Sequence, residues 1–202
     1  MPGIGELSAQ ITKCRICRDN PRGPRLPHEP RPVLQPSATA RILIAGQAPG
    51  TRVHASGRPF TDSSGDRLRQ WLGIDSGTFY DPARIAILPM GFCFPGLSAA
   101  GADLPPRPEC AATWRAACMA AMPQIELVVC LGAHAMRWHM GNGFAGSVDQ
   151  AVRGWTRGLN LRPAVVPLPH PSWRNNGWLK RNPWFEAELL AELRRLVAIH
   201  LS

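Results

Sequence analysis

Four short apolar runs alternate with helical patterns along the chain, and this order limits the possible folds more than any other feature of the sequence. The apolar runs lie at 41–46, 84–90, 125–131 and 164–168. The helical patterns lie at 64–72, 109–122, 133–140 and from 182 onward. Runs that are apolar throughout are typical of parallel strands buried on both faces. We therefore predict an α/β fold with three layers, α/β/α, and a central parallel sheet of about four strands.

In such sheets ligands bind beyond the carboxyl ends of the strands, so the loops that follow the apolar runs are the candidate binding segments. These loops lie at 46–63, 89–108, 132 onward and 169–181. The length of 202 residues favours one domain that spans 1–202.

The charge balance favours a polyanionic partner. Lys and Arg number 23 against 14 Asp and Glu, which gives a net charge of +9. Nucleic acid is the first expectation, because cations that neutralise phosphates release counterions, and an anionic membrane surface is the second. No apolar run approaches the roughly 20 residues that span a bilayer, and residues 1–13 lack the apolar stretch of a signal peptide. We expect a cytoplasmic monomer that does not insert into a membrane.

Six cysteines in a reducing compartment indicate metal sites, redox chemistry or burial rather than disulfides. Cys14 and Cys17 form a C-x2-C pair, and Cys93 and Cys110 follow a long gap as C-x16-C. Four thiolates at one point suit either an iron-sulfur cluster or tetrahedral zinc. The two remaining cysteines lie in apolar helix and strand contexts and are expected to be buried: Cys118 and Cys130.

Two strand-end loops carry further motifs. Gly46-Gln-Ala-Pro-Gly50 follows the first run and leads to Gly57-Arg-Pro-Phe60 and a helix, without the Lys-Ser/Thr ending of a phosphate-binding P-loop. Leu168-Pro-His-Pro-Ser172 follows the fourth run. A segment with cations, amides and two tryptophans continues to Arg181.

The motifs, taken in this order over nearly the whole chain, resemble those of the uracil-DNA glycosylase superfamily, and family 4 in particular. The resemblance implies an enzyme that flips uracil or another deaminated base out of DNA, hydrolyses its N-glycosidic bond and leaves an abasic site. It also implies a 4Fe-4S cluster, with zinc as the alternative metal, that ties the N-terminal segment to the loop after the second strand. The implied ligands are Cys14, Cys17, Cys93 and Cys110.

The same resemblance assigns roles within the pocket. Phe60 would stack on the extruded base, the alternative being a core aromatic, and His170 would donate to uracil O2 as negative charge accumulates on the leaving base. The backbone around Gln47 and Ala48 would contact the base. The remaining expected contacts come from Gly46, Pro49, Gly50 and Ser172.

One departure from the family concerns the catalytic carboxylate. Family 4 has Glu where Gln47 stands, and family 1 has Asp where Ala48 stands. We propose Asp62 as the substitute that activates water or stabilises the sugar cation, or else the Gln47 loop as the holder of that water. The alternative for Asp62 is an N-cap of the helix that starts near Ser64.

A second departure concerns base reading. Family 4 has a uracil-reading Asn four residues before the third cysteine, and here that position is Pro89, which has no side-chain donor. We expect base reading by backbone groups of Met90 and Gly91, or by another side chain. A pocket without a side-chain reader should discriminate less, so hypoxanthine or xanthine joins uracil as an expected substrate.

The segment after His170 resembles the superfamily loop that enters the minor groove. Its expected DNA contacts are Trp173, Arg174, Asn175, Lys180 and Arg181. Trp173 or Trp178 would act as a wedge, or else would anchor the last helix. The second hypothesis for the whole chain is a uracil- or abasic-site-binding protein with little turnover, because the first motif lacks its carboxylate.

Overall fold

The computed structural model describes residues 2–144 and 146–202. Its centre is one four-stranded parallel sheet in the order β2-β1-β3-β4. The strands are β1 (Ile42–Ala45), β2 (Ile85–Ile87), β3 (Leu127–Leu131) and β4 (Ala164–Leu168). Every strand residue except Ala164 is buried, as continuous apolar runs require. The prediction of a four-stranded parallel sheet in a three-layer α/β fold is confirmed.

Helices and short helical turns connect and flank these strands. The α-helices in chain order are α1 (Ile4–Thr12), α2 (Ile16–Asp19), α3 (Thr51–Ser56), α4 (Ser63–Leu72), α5 (Ser76–Phe79), α6 (Pro108–Ala120), α7 (Ala133–Met140), α8 (Val148–Arg153), α9 (Asn176–Arg181) and α10 (Ala191–Leu201). Turns of 3-10 helix lie at Gly141–Gly143, Trp155–Asn160 and Trp173–Asn175, and a π-helical stretch spans Phe185–Leu190. None of the helices at 2–144 or 146–202 is long and apolar enough to cross a membrane.

The packing of α4 against α10 fixes the helix that follows the first binding loop. Trp71 of α4 meets Phe185 edge to face at 5.1 Å between ring centroids, and Leu68 and Leu193 are fully buried. Each such side chain contributes about 1.5–3 kcal/mol through burial. The start of α4, which carries part of the candidate site, therefore rests on a rigid support.

Asn182 before Pro183 is a typical N-cap sequence for the last helical pattern, and the structure differs from it in one detail. Asn182 stands where the last helical region starts, but its side chain does not cap it. Its Oδ1 accepts from Arg153 Nη2 at 2.8 Å and Trp184 Nε1 at 3.1 Å, and its Nδ2 donates to Trp178 O at 2.8 Å. This buried amide joins α8 and α9 to the π-helical stretch.

Candidate functional site

A pocket of about 590 Å³, including its open mouth, lies beyond the carboxyl ends of β1, β2 and β4. This is the edge where parallel α/β sheets bind their ligands. The structure brings most of the predicted pocket residues together here: Gly46, Gln47, Ala48, Pro49, Gly50, Phe60, Asp62, Pro89 and His170.

Phe60 is half-buried in the pocket wall and has an unusual backbone. Its φ is 54°, which costs energy for a residue with a side chain. Tyr80 Oη and Arg69 Nη1 hold this conformation by donating to Phe60 O at 2.9 and 3.3 Å. A glycine is required at position 65, five residues after Phe60, because a Cβ there would overlap Phe60 O. The ring also meets Phe79 edge to face at 5.9 Å, so it belongs to both the core and the pocket.

The loop after β1 is joined to the chain after β2 by backbone hydrogen bonds. Met90 N donates to Gly46 O at 2.9 Å and Gly91 N to Gln47 O at 2.8 Å. These two donors are therefore engaged, and neither Met90 nor Gly91 lines the pocket. The prediction that these two N–H groups read the base is therefore wrong. Of Pro89, Met90 and Gly91, only Pro89 lines the pocket.

Gln47 lies at the base of the pocket against the end of β3. Its amide occupies the space that a side chain at Gly132 would fill, and Gly132 itself has a φ of 81°. The glycine therefore serves both the turn into α7 and the close approach of Gln47.

His170 follows β4 and is partly buried. Asn175 Nδ2 donates to its carbonyl at 2.7 Å, which fixes the backbone of the loop. Burial lowers the pKa of His170 and Arg174 lowers it further, while the charges of Asp62 and Asp103 oppose this shift. The net direction is down, so the imidazole is neutral at pH 7 and has one N–H to donate. Ser172 does not line the pocket; its carbonyl accepts from Arg67 Nη1 at 3.0 Å.

Asp62 takes one of its two predicted alternatives, the N-cap, and it also lines the pocket. It is the N-cap of α4, with Oδ1 accepting from Gly65 N at 3.2 Å. Its side chain also lines the pocket and is near enough to influence His170. One of its two carboxylate oxygens is thus committed to the helix.

Asp103 is a second carboxylate in the pocket that the sequence did not reveal. It lies on a hairpin between β2 and α6, in which Leu97 pairs with Asp103 and Leu104 N donates to Gly96 O at 2.9 Å. The hairpin has no periodic pattern, and only folding brings it against the loop after β1. The available signal was its place in the predicted binding loop 89–108, where it is the one acidic residue.

Arg115 of α6 is a second missed residue, located behind the pocket wall and fully buried. Its Nη1 donates to Leu88 O at 2.7 Å and Pro89 O at 3.1 Å, and its Nη2 contacts His139 Nε2. Burial lowers the pKa of Arg115 to about 10 and that of His139 to about 2, with the Arg115 charge contributing to the latter. His139 is therefore a neutral acceptor, and the guanidinium holds the segment that carries Pro89.

The four predicted cysteine ligands line one cavity next to the pocket: Cys14, Cys17, Cys93 and Cys110. Trp114 Nε1 donates to Cys14 Sγ at 3.4 Å and Phe92 N to Cys110 Sγ at 3.3 Å. Burial raises the pKa of Cys17 to about 11 and those of Cys93 and Cys110 to about 12. Across 2–144 and 146–202, no group of three or more His, Cys, Asp or Glu is arranged so that it could hold a metal ion. The cysteines thus share a cavity without forming a site for a single ion.

The remaining two cysteines are buried as predicted, with Cys118 in α6 and Cys130 in β3 both fully inaccessible.

The two tryptophans after His170 have different environments. Trp173 is 71% exposed, with the Arg174 guanidinium 5.7 Å from its ring centroid. Trp178 donates to Asp149 Oδ1 at 2.6 Å and meets Phe185 at 5.5 Å, so it anchors α9 to the last helical region. Of the two candidates for a wedge, only Trp173 is free to contact a partner. Lys180 and Arg181 are exposed on α9.

Comparison with known protein families gives one match. The model of the family described as the Uracil DNA glycosylase superfamily matches residues 33–194, which is more than half of the chain. The matched range contains all four strands, the pocket residues and two of the cavity cysteines, Cys93 and Cys110. Cys14 and Cys17 precede it.

Proposed function

Because the chain belongs to the uracil-DNA glycosylase superfamily, we propose that it is a monofunctional DNA glycosylase that hydrolyses the N-glycosidic bond of uracil in DNA. The product is an abasic site, the first intermediate of base-excision repair. The observation that carries this proposal is the pocket itself, in which Phe60, His170 and the Gly46–Gly50 loop meet at the sheet edge. An aromatic face and a neutral imidazole suit a flipped base.

His170 supplies the main stabilisation of the leaving base in this proposal. When the glycosidic bond breaks, its electron pair stays on the base, which becomes an anion. A neutral imidazole N–H that donates to a base carbonyl stabilises this charge without giving up its proton. The lowered pKa of His170 keeps it in that neutral form at pH 7.

The base range is proposed to be wider than uracil. Pro89 puts no polar side chain into the pocket, and the neighbouring N–H groups of Met90 and Gly91 are bound to Gly46 and Gln47. Few fixed donors are then left to reject a base with a different edge. Hypoxanthine and xanthine are the further substrates that we propose.

We propose that the cysteine cavity holds a 4Fe-4S cluster. Four thiols line one cavity, and two of their sulfurs already accept N–H hydrogen bonds. The cluster would cross-link α2, the loop after β2 and the start of α6. Zinc remains the second candidate, although the cysteines do not form a site for a single ion among the described residues. Iron and sulfide analysis of purified protein, with its absorption spectrum, decides between them.

We propose that double-stranded DNA contacts the segment 173–181. The exposed Trp173 would act as the wedge, and Arg174, Lys180 and Arg181 would contact phosphates. Asn175 is already engaged with His170 O and would position the loop.

Excision from a panel of oligonucleotides tests the proposal. Single- and double-stranded substrates that carry uracil, hypoxanthine or xanthine are incubated with the protein, and alkali then cleaves any abasic product. We expect strand cleavage with uracil and at least one purine, and none with thymine. The second candidate, a binding protein with little turnover, is favoured by the absence of a carboxylate at Gln47 and Ala48. It predicts tight binding of uracil DNA and less than one turnover per molecule.

A further inference from the structure

The pocket contains a carboxylate, Asp103, beside the first motif, where Gln47 and Ala48 replace the acid of relatives. Asp103 lines the pocket and lies against the Gly46–Gly50 loop, although it is 53 residues further along the chain than Gly50. Its Oδ2 is 3.3 Å from the position that a Cβ on Gly50 would take. Gly50 has an extended backbone with a φ of −84°, so its lack of a side chain serves this approach and not an unusual conformation.

The carboxylate of Asp103 is free, and that of Asp62 is not. Among the hydrogen bonds and ion pairs within 2–144 and 146–202, none involves the Asp103 carboxylate. Asp62 by contrast accepts from Gly65 N as the cap of α4. A group that must bind water and face a cation needs unshared oxygens, which favours Asp103.

The hairpin that carries Asp103 is held by its own hydrogen bonds. Ser98 N donates to Ala102 O at 2.8 Å, Gly101 N to Ser98 O at 2.9 Å and Ala102 N to Ser98 Oγ at 3.2 Å. The carboxylate is therefore presented on an ordered turn and not on a loose loop.

Two exposed leucines lie beside Asp103 on the same hairpin. Leu97, its bridge partner, is 50% exposed, and the adjacent Leu104 is 40% exposed. The hairpin that carries them forms the rim of the pocket, since Asp103 lines the pocket. When DNA lies on this rim, the leucines would exclude bulk water and so strengthen the interaction between the carboxylate and a charged sugar.

We propose that Asp103 is the catalytic carboxylate of this pocket, which orients the attacking water and stabilises the cationic sugar. The proposal rests on the glycosylase function proposed above. In the step, the C1′–N bond breaks and its electron pair leaves with the base, while water forms the new C1′–O bond. Asp103 accepts the proton that this water loses and then releases it to solvent or to the expelled base, which restores the carboxylate. Asp62 remains the cap of α4 and adds negative charge to the same pocket.

The first test compares Asp103→Asn and Asp103→Ala with Asp62→Asn in the full-length protein, with single-turnover excision of uracil as the readout. Asp81→Asn is the matched control, because Asp81 is a hydrogen-bonded turn carboxylate outside the pocket. We expect both Asp103 variants to lose about 100-fold or more in rate. Binding of uracil DNA should change by no more than about threefold, because the carboxylate acts in the transition state. Formate should restore part of the rate of Asp103→Ala only, which a structural role would not produce.

The second test does not need turnover. The protein is titrated with duplexes that carry a cationic pyrrolidine analogue of the abasic sugar or a neutral tetrahydrofuran. The wild type should prefer the cation, and Asp103→Asn should lose about tenfold or more of that preference. Unchanged rates in both Asp103 variants, or an unchanged preference, would overturn the assignment. If the wild type excises no base, the glycosylase proposal fails, and the preference ratio still decides whether Asp103 faces the sugar.

Discussion

His170 illustrates how surroundings set the charge state of a single residue. Burial and Arg174 lower its pKa, and the two pocket carboxylates oppose them without reversing the direction. A neutral donor is lost when the ring becomes protonated, so activity should be constant above pH 7 and fall only below about 6.5, the ordinary value. His170→Ala should lose about 100-fold in single-turnover rate. A pH profile of single-turnover rates for both proteins measures this, and an alkaline loss in the wild type would contradict it.

The range of bases that the pocket accepts can be tested by placing an amide side chain at position 89. Pro89→Asn adds an amide to the pocket wall, and the carbonyl that Arg115 holds is retained. We expect the preference for uracil over hypoxanthine to rise about tenfold, because the new amide is left unpaired by the wrong base. Competition between the two substrates in one reaction gives the ratio. A purine rate that rises together with the uracil rate would show that Pro89 has no part in selection.

The buried pair of Arg115 and His139 predicts a pH dependence of stability. The folded protein keeps His139 neutral down to a pKa of about 2, whereas the unfolded chain protonates it near 6.5. Since the folded-state pKa is depressed, stability is lost as pH falls below the unfolded value. Between pH 6.5 and 5 the loss is about 2 kcal/mol. His139→Gln keeps an acceptor for Arg115, so urea unfolding at pH 7.5 and 5 should show a smaller loss for the variant. Equal losses would mean that other groups dominate.

At the scale of elements, the sequence predicts what local periodicity encodes. The run 164–168 and the pattern 133–140 coincide with β4 and α7, and the other strands differ by a few residues at their ends. The place of Asp103 in the pocket and the hydrogen bonds from Arg115 to Leu88 O and Pro89 O could not be predicted. They depend on contacts between segments that are far apart in sequence. The same reason explains the error over Met90 and Gly91, whose donors are engaged by a neighbouring loop.

The segment 173–181 contains one exposed tryptophan, Trp173, which is the proposed wedge, and one packed tryptophan, Trp178. Trp178→Ala should destabilise the protein by about 3 kcal/mol or more, because it removes packing on Phe185 and the bond to Asp149. Trp173→Ala should leave stability within about 0.5 kcal/mol and reduce excision from double-stranded more than single-stranded DNA. Thermal unfolding and paired excision assays measure both. An equal effect of Trp173→Ala on both substrates would exclude a wedge.

For the molecule as a whole, the cysteine cavity joins the N-terminal segment to the loop after β2 and to the start of α6. Cys17 belongs to α2. Cys110 lies near the start of α6, five residues before Arg115, whose guanidinium donates to Pro89 O. A cluster bound there would stabilise the folded chain, because the unfolded chain cannot bring the four sulfurs together.

Cys17→Ala should therefore abolish iron binding and lower the melting temperature by about 4 °C or more. Cys118→Ala is the matched control, since Cys118 is fully buried in the same helix as Cys110 but does not line the cavity. It should keep the iron content and the visible absorption of the wild type, while losing some stability through its own cavity. Equal iron content in the two variants would place the metal elsewhere. Loss of iron without any change in uracil excision would separate the cluster from the shape of the pocket wall.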